Sequence, residues 1–302
     1  MTYLPKDLAN TVEGESILLT GSAGYIGREI GKQLRINGID FIGVDKQAGE
    51  SLEGHKIDLV DSESMSRLIR DLSPDTVIHS GTHSALAYQD DFKVVFQEDF
   101  NAILTLLRNL EETPETRLIF FSSTYVYSGL NPLNAVDEST RLNPTHNFGV
   151  AKLFFEEFVL RNHPNSVVFR LSSVFGHGVQ KHPNALAGMV VECQENKHLT
   201  IWGDGSRKMQ YVCLEEVILS ILEGITIPPG LYNLGGIEYT SVAEAAAQIA
   251  HFFNAEIEFL AEKPQGDTLP FMNTEKLRKE SSARHEYPFP DALQAYLCTT
   301  PK

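Results

Sequence analysis

The stretch from Ser16 to Ile30, S-I-L-L-T-G-S-A-G-Y-I-G-R-E-I, constrains this chain more than any other. Ile17, Leu18 and Leu19 form a short continuous apolar run, the pattern of a strand buried on both faces. Gly21, Gly24 and Gly27 follow at once, and Arg28 to Ile36 reads as a helix with one apolar face. Strand, glycine turn and helix start together make an anion cradle, because free backbone N–H groups and the helix dipole both face the turn. Gly21 gives the tight turn, Gly24 lets a pyrophosphate approach the backbone, and Gly27 lets the helix pack on the strand. Tyr25 and Ile26, between the last two glycines, are counted with them as cofactor-binding positions.

Three glycines alone also describe an ordinary loop, so the context matters. A second strand, Asp40 to Val44, ends at Asp45, about 20 residues on, where the fingerprint places a ribose-binding carboxylate. Asp45 points to NAD, since a carboxylate repels the 2′-phosphate of NADP. Lys46 beside it blurs that preference.

Composition excludes several classes. The chain has 302 residues, 42% of them hydrophobic, enough for one large core or two intimate ones. A formal charge of −15 makes nucleic acid and anionic membrane surfaces poor partners. No stretch has the length of a transmembrane helix, and the N-terminus lacks a signal-peptide core. Cys193, Cys213 and Cys298 show neither metal spacing nor a disulfide framework, which fits a reducing cytoplasm and predicts no metal.

Residues before Glu13 read as an arm of uncertain structure. His55 to Leu59 reads as a third strand, ending in Asp58 and Leu59, and Asp61 caps a helix towards Leu72. Thr76 to His79 is a fourth strand leading into Ser80, Gly81, Thr82, His83 and Ser84. An amphipathic helix spans Phe92 to Leu110, Arg117 to Ser122 is the fifth strand, and Ser166 to Phe175 the sixth. Strands of about five residues alternating with helices predict a doubly wound α/β fold, a parallel sheet covered on both faces. Ligands of such sheets sit beyond the carboxyl ends of the strands, where Thr82, Ser123 and Thr124 fall.

The helix from Asn147 to Arg161 carries Phe148, Leu153, Phe154, Phe155, Phe158 and Val159, more apolar surface than one sheet face needs. It is read as half of a homodimer interface, with burial inside the monomer as the alternative. Beyond Gly176 the alternation loosens into helices at Asn184 to Glu195, Leu214 to Ile225, Val242 to Phe253, Asn273 to Glu280 and Pro290 to Leu297, with short strands at Leu199 to Trp202 and Leu231 to Leu234. This organisation predicts a cofactor domain over 13–176, joined by 208–239, and a smaller, irregular α+β C-terminal lobe over 177–207 and 240–302.

Taken together, these segments resemble the extended short-chain dehydrogenase/reductase family, in its NAD-dependent epimerase/dehydratase group. The marks are T-G-S-A-G-Y-I-G at Thr20 to Gly27, Asp58-Leu59, H-S-G-T-H-S at His79 to Ser84, and F-F-S-S-T-Y-V-Y at Phe120 to Tyr127. N-P-T-H-N-F-G-V-A-K at Asn143 to Lys152 and G-L-Y-N-L-G-G at Gly230 to Gly236 complete the set. The resemblance implies a Rossmann fold, with Asp58 and Leu59 against the adenine and Ser80 and Gly81 in the cofactor site. It implies that Lys152 holds the nicotinamide ribose and that Ser123 binds the oxygen that changes oxidation state. Thr82, Ser84, Tyr125, Asn184 and Arg207 are the candidate substrate contacts. A sugar or nucleotide sugar is the implied substrate.

Hydride transfer from a carbinol requires its O–H proton to leave as well. The family uses a tyrosine whose pKa is lowered by a lysine ammonium and the nicotinamide ring. At that position, four before Lys152, this chain has Phe148, which has no proton to exchange. Three readings stay open: a Tyr→Phe change introduced to trap substrate, a natural replacement with Tyr125, Thr124, Tyr127 or His146 moving the proton, or a protein that only binds.

Further departures bear on substrate. Met209 and Gln210 stand where nucleotide-sugar members carry an arginine and an acidic residue, and Lys263-Pro264-Gln265 precedes Gly266-Asp267 where a second arginine is usual. Losing both sacrifices bidentate contacts to a diphosphate, unless Arg207, Lys208 or Lys263 substitutes. A smaller sugar, sugar acid or hydroxy acid is therefore a rival substrate. Thr124-Tyr125 replaces the Asp-Glu pair of the 4,6-dehydratases, which disfavours that reaction. A 4-epimerase or a simple dehydrogenase/reductase is least contradicted.

Overall fold

The computed structural model describes residue 12 and residues 14–47, 54–180, 184–281 and 287–300. The arm before Glu13 lies outside the described residues, Val12 excepted. Seven parallel strands form the main sheet: β1 (Ile17–Thr20), β2 (Phe41–Asp45), β3 (Gly54–Lys56), β4 (Thr76–His79), β5 (Arg117–Ser123), β6 (Ser166–Leu171) and, much later, a strand at Gly230–Leu234. Their spatial order is β3-β2-β1-β4-β5-β6 followed by that late strand. Strand order reverses between β1 and β4, and this is where doubly wound sheets open a ligand crevice. β1 and β4 are buried at every position, as their apolar runs require.

Helices cover both faces. On one side α1 (Tyr25–Ile36) packs Ile30 and Leu34 against Ile17, Leu19 and Ile78. On the other, α2 (Ser62–Leu72), the short α3 (Ala85–Asp90), α4 (Phe92–Leu110) and α5 (Asn147–Asn162) pack on Leu18, Val77, Leu118, Phe120 and Val168. Asp61 Oδ1 accepts from Ser64 N–H and so caps α2 as the sequence predicts. α1 starts differently. Its N-cap is Gly24, with no side-chain cap and no acidic residue in the first turn, so the helix start is left open to an anion.

Two strand readings are corrected. The third strand stops at Lys56, because it is an exposed edge and pairs with β2 only from Gly54 to Lys56. The predicted sixth strand divides at Ser172. β6 stays in the main sheet, whereas β7 (Ser173–Phe175) pairs in parallel with β10 (Tyr211–Cys213). A continuous apolar run does not show where a chain changes sheet. The second part comprises α6 (Ala185–Asn196), β8 (His198–Trp202), β9 (Lys208–Met209), α7 (Leu214–Glu223), β11 (Gly230–Leu234), β12 (Thr240–Ser241), α8 (Val242–Phe253), β13 (Glu256–Leu260), α9 (Glu275–Glu280) and α10 (Phe289–Thr299). β13 pairs with β8 in parallel, a strand the sequence pattern did not reveal because three of its five positions are exposed. α6, α8 and α10 share a separate core built on Leu186, Ala246, Ile249 and Leu293.

One buried ion pair ties α5 to the sheet. Arg170 on β6 meets Glu156 on α5, its Nε donating to Oε2 at 3.1 Å, with the second guanidinium nitrogen also paired to this carboxylate. Its remaining nitrogen donates to Tyr127 Oη at 2.7 Å, and that hydroxyl also lies 2.8 Å from Asn233 Oδ1 on β11.

Candidate active site

The crevice between β1 and β4 has the shape a pyrophosphate needs. Gly21 has φ +70°, and a Cβ there would lie 2.5 Å from the Gly81 backbone. A Cβ on Gly27 would lie 2.1 Å from the Gly21 carbonyl oxygen, so helix and turn touch only because both are glycine. Ser80 Oγ donates to the Thr20 carbonyl at 2.8 Å and fastens the ends of β4 and β1 together. Leu59 packs against Gly81, where an added Cβ would meet its Cδ1 at 2.3 Å. Tyr25 Oη donates to the Gly176 carbonyl at 3.1 Å, and Ile26 turns into the core beneath.

Asp45 ends β2 beside this turn. One carboxylate oxygen accepts from Ala23 N–H at 3.2 Å and the other from Gln47 N–H at 2.8 Å, leaving lone pairs for a ribose diol. Lys46 is exposed next to it. Asp58 is exposed at the end of the β3 connection and accepts from Val60 N–H at 3.2 Å. A Cβ-free cradle, an uncapped helix start and a carboxylate at the end of β2 together fit a dinucleotide with an unphosphorylated ribose.

Further along the carboxyl edge lie Ser123, Tyr125 and Lys152. Ser123 ends β5, and its Oγ accepts from Tyr125 N–H at 3.3 Å across a single 3₁₀ turn, Thr124–Tyr127. Thr124 is buried, and Tyr125 is the one residue of positions 121–128 that is not. Its ring meets His146 at 4.6 Å and stands edge-on to Phe148 at 5.8 Å. Phe148, in the first turn of α5, is 8% exposed and also packs on Tyr88.

Lys152 follows one turn later and is 2% exposed. Its Nζ donates to Thr82 Oγ1 at 2.9 Å and to the Phe121 carbonyl at 2.8 Å, and sits over the Phe120 and Phe148 rings. Burial lowers its pKa to about 8, against the pull of the Asp99 and Glu156 carboxylates. His79 lies beneath, stacked on Phe120, with its Nδ1 2.7 Å from Thr20 Oγ1. Burial brings its pKa down to about 4, so it is neutral near pH 7.

Three other expected contacts have protein partners of their own. Asn184 caps α6, its Oδ1 accepting from Ala187 N–H at 2.9 Å and its amide donating to the Val174 carbonyl at 2.6 Å. Ser84 likewise caps α3. Arg207 is no solvated charge: its guanidinium donates to the Asp267 and Gln265 carbonyls at 2.9 and 3.3 Å, pinning that loop. Gln210, at a departure from the family pattern, donates to the Gly236 and Met272 carbonyls and accepts from Met272 N–H.

One cluster went unread in the sequence. Asp99 of α4 is 1% exposed, and both its oxygens face His83 N–H at 3.2 and 3.3 Å. The His83 ring meets it at 2.7 Å through Nδ1, Tyr88 Oη donates to it at 2.8 Å, and His83 Nε2 lies 3.1 Å from Glu98. The signal was available: Asp99 falls on the apolar stripe of Val95, Ala102, Ile103 and Leu106.

Fold and site together define a doubly wound dinucleotide-binding protein whose glycine crevice opens between β1 and β4. The model of the NAD dependent epimerase/dehydratase family matches residues 17–235. The chain belongs to that family, and NAD is its cofactor. It is 26% identical to UDP-glucose 4-epimerase 2 of Arabidopsis thaliana, over 88% of this chain and 89% of that protein. It is also 26% identical to methionine adenosyltransferase 2 subunit beta of Xenopus tropicalis, over 89% of this chain and 83% of that one. The solved UDP-glucose 4-epimerase of Thermotoga maritima with UDP-glucose superposes with a TM-score of 0.83 at 20% identity, covering 93% of this chain and 97% of that one. At that identity the likeness concerns the fold. No helix among the described residues is long and apolar enough to cross a membrane.

Proposed function

We propose that the chain is an NAD-dependent enzyme that oxidises a carbinol of a nucleotide sugar, either re-reducing it as a 4-epimerase does or releasing the product as a simple dehydrogenase/reductase does. The observation that carries this is the buried Lys152 ammonium, one turn beyond position 148 and bonded to Thr82 and to the Phe121 carbonyl, two residues before Ser123. Asp45 would hold the adenosine ribose, Lys152 the nicotinamide ribose, and Ser123 the substrate oxygen. Bound NAD would take and return the hydride. Thr124-Tyr125 offers no carboxylate to remove a proton next to a ketone, which argues against 4,6-dehydration. Because Arg207 is engaged with its own loop, Lys208 and Lys263 are the cations left for a diphosphate; a sugar lacking one is the alternative substrate.

The test is reduced-nicotinamide absorbance and product analysis with NAD and a panel of nucleotide sugars, free sugars and hydroxy acids. It is run on this chain and on Phe148→Tyr in parallel. Conversion by either chain supports the reading, and conversion by neither refutes it. A second reading is favoured by Phe148 together with a relative named as a subunit of another enzyme. On that reading NAD binds and no substrate is converted.

We also propose a homodimer through α4 and α5 in a cytoplasmic setting. Val94, Val150 and Phe154 are 53, 46 and 43% exposed, and Phe154 stacks among Phe96, Phe100 and Phe158. A contiguous aromatic face of this kind is expected to be covered. Phe154→Glu should halve the mass measured by light scattering.

A further inference from the structure

Phe148 leaves a carbinol proton without a phenol, and the groups around Lys152 decide what can replace it. Most nearby polar groups are committed. Tyr127 Oη is engaged with Arg170 and Asn233, and Tyr88 Oη is fully buried on Asp99. His146 accepts from Phe148 N–H through Nδ1, and its Nε2 lies 3.1 Å from the Gln89 amide. Taking up a proton at Nδ1 would break the cap of α5.

Thr82 is different. Its hydroxyl oxygen is hydrogen-bonded to Lys152 Nζ, it lies on the carboxyl edge of β4, and it is part-exposed. Among the described residues no acceptor takes its own O–H. The loop that carries it is fixed on both sides. Thr82 N–H donates to the Ser80 carbonyl at 3.0 Å, and the next residue, His83, is held by the Asp99 carboxylate through both backbone and ring. Tyr88 joins that carboxylate to the Phe148 ring, 5.4 Å away, and Lys152 closes the circle over the same ring. A hydroxyl polarised by a buried amine, on a loop pinned by a buried carboxylate, has the parts of an acid–base pair.

We infer that Thr82 and Lys152 together move the proton that a tyrosine at position 148 would move, with Thr82 Oγ1 the atom in contact with the reacting oxygen. The inference rests on the proposed redox chemistry at a carbinol. In oxidation the carbinol O–H bond breaks and its proton goes to Thr82 Oγ1. The Thr82 hydroxyl proton passes at the same time to the lone pair of neutral Lys152. The C=O bond forms as the C–H electron pair leaves as hydride to the oxidised cofactor. Reduction runs the same transfers backwards from the Lys152 ammonium. Because burial holds Lys152 near pH 8, both its forms are populated close to neutrality.

The experiment compares the parent chain with Thr82→Val, which keeps the shape and removes the hydroxyl, and with Thr82→Ser, which restores it. Turnover is followed by nicotinamide absorbance and product analysis. In cofactor-free protein, the Lys152 titration is followed by NMR of labelled lysine. Thr82→Val should lose turnover by on the order of 10²- to 10⁴-fold, the usual scale of a lost acid–base group. Its Lys152 should titrate at lower pH than in the parent, and Thr82→Ser should recover both readings. Should Thr82→Val not fold, Thr82→Ala takes its place with the same expectations. Parent turnover that survives in Thr82→Val, or an unmoved Lys152 titration, overturns the assignment and leaves the functional reading standing. Loss in Tyr125→Phe with full turnover in Thr82→Val moves the proton to the phenol and also overturns it. A parent chain that converts no substrate overturns it, and the functional reading falls with it only if Phe148→Tyr converts none either.

Discussion

Replacing Lys152 by Met should make the protein more stable near neutral pH, and the gain should fade as pH rises. Burial brings the lysine from 10.5 to about 8 in the folded chain. At about 1.4 kcal/mol per pH unit, keeping the ammonium buried costs about 3 kcal/mol wherever both states are protonated, below pH 8. Methionine is similar in volume and carries no charge, so Lys152→Met recovers that cost. It forfeits the bonds to Thr82 Oγ1 and the Phe121 carbonyl, about 1 kcal/mol each. The net expectation at pH 7 is a gain of about 1 kcal/mol. Between pH 8 and 10.5 the unfolded lysine still holds its proton while the folded one has released it, so the parent gains stability with rising pH. The advantage of the variant should vanish in that window and reverse by about 2 kcal/mol above it, where only the lost bonds remain. Urea unfolding of both chains at pH 7, 8.5 and 10 measures the difference, and titrations common to both chains cancel. A variant less stable than the parent at pH 7, or a difference flat across the three pH values, would refute the reasoning.

Gly21→Ala should cost about 1–2 kcal/mol for a left-handed backbone and another 1–3 for the overlap with Gly81, read as a fall in Tm and weaker NAD binding. Asp45→Asn should move the NAD/NADP affinity ratio towards NADP by about tenfold, equivalent to about 1.4 kcal/mol, measured by titration calorimetry. Arg170→Met strands Glu156 and should destabilise by about 3–5 kcal/mol in urea, whereas adding Glu156→Leu should restore most of that loss.

The cofactor half was legible because its signals are local. Ile17 to Gly27 carries strand, turn and helix start in one stretch, and α4 runs from Phe92 to Leu110 as its periodicity indicates. The break at Ser172 was not legible, since Ser166–Leu171 and Ser173–Phe175 are both strand-forming and only their partners differ. Roles fixed by distant carbonyls were equally hidden. Arg207 and Asn184 read as substrate contacts, and the sequence does not show that Arg207 also holds the loop of Gln265 and Asp267 or that Asn184 also caps α6. Asp99, Glu156 and Arg170 form the instructive middle group. Each is a charge set in an apolar pattern, a local cue that foretells burial and says nothing of the partner.

The late arrival of β11 has a consequence for synthesis. The chain lays down β1 to β6 in order, then spends roughly 60 residues on other structure, α7 included, before β11 returns to pair with β6. At about 5–20 residues per second, a nascent chain carries that strand edge unpaired for roughly 3–12 seconds. Over that interval the unfinished sheet offers other chains the same apolar edge that β11 later occupies, so yield on overproduction should respond to translation speed and chaperone supply more than final stability would suggest.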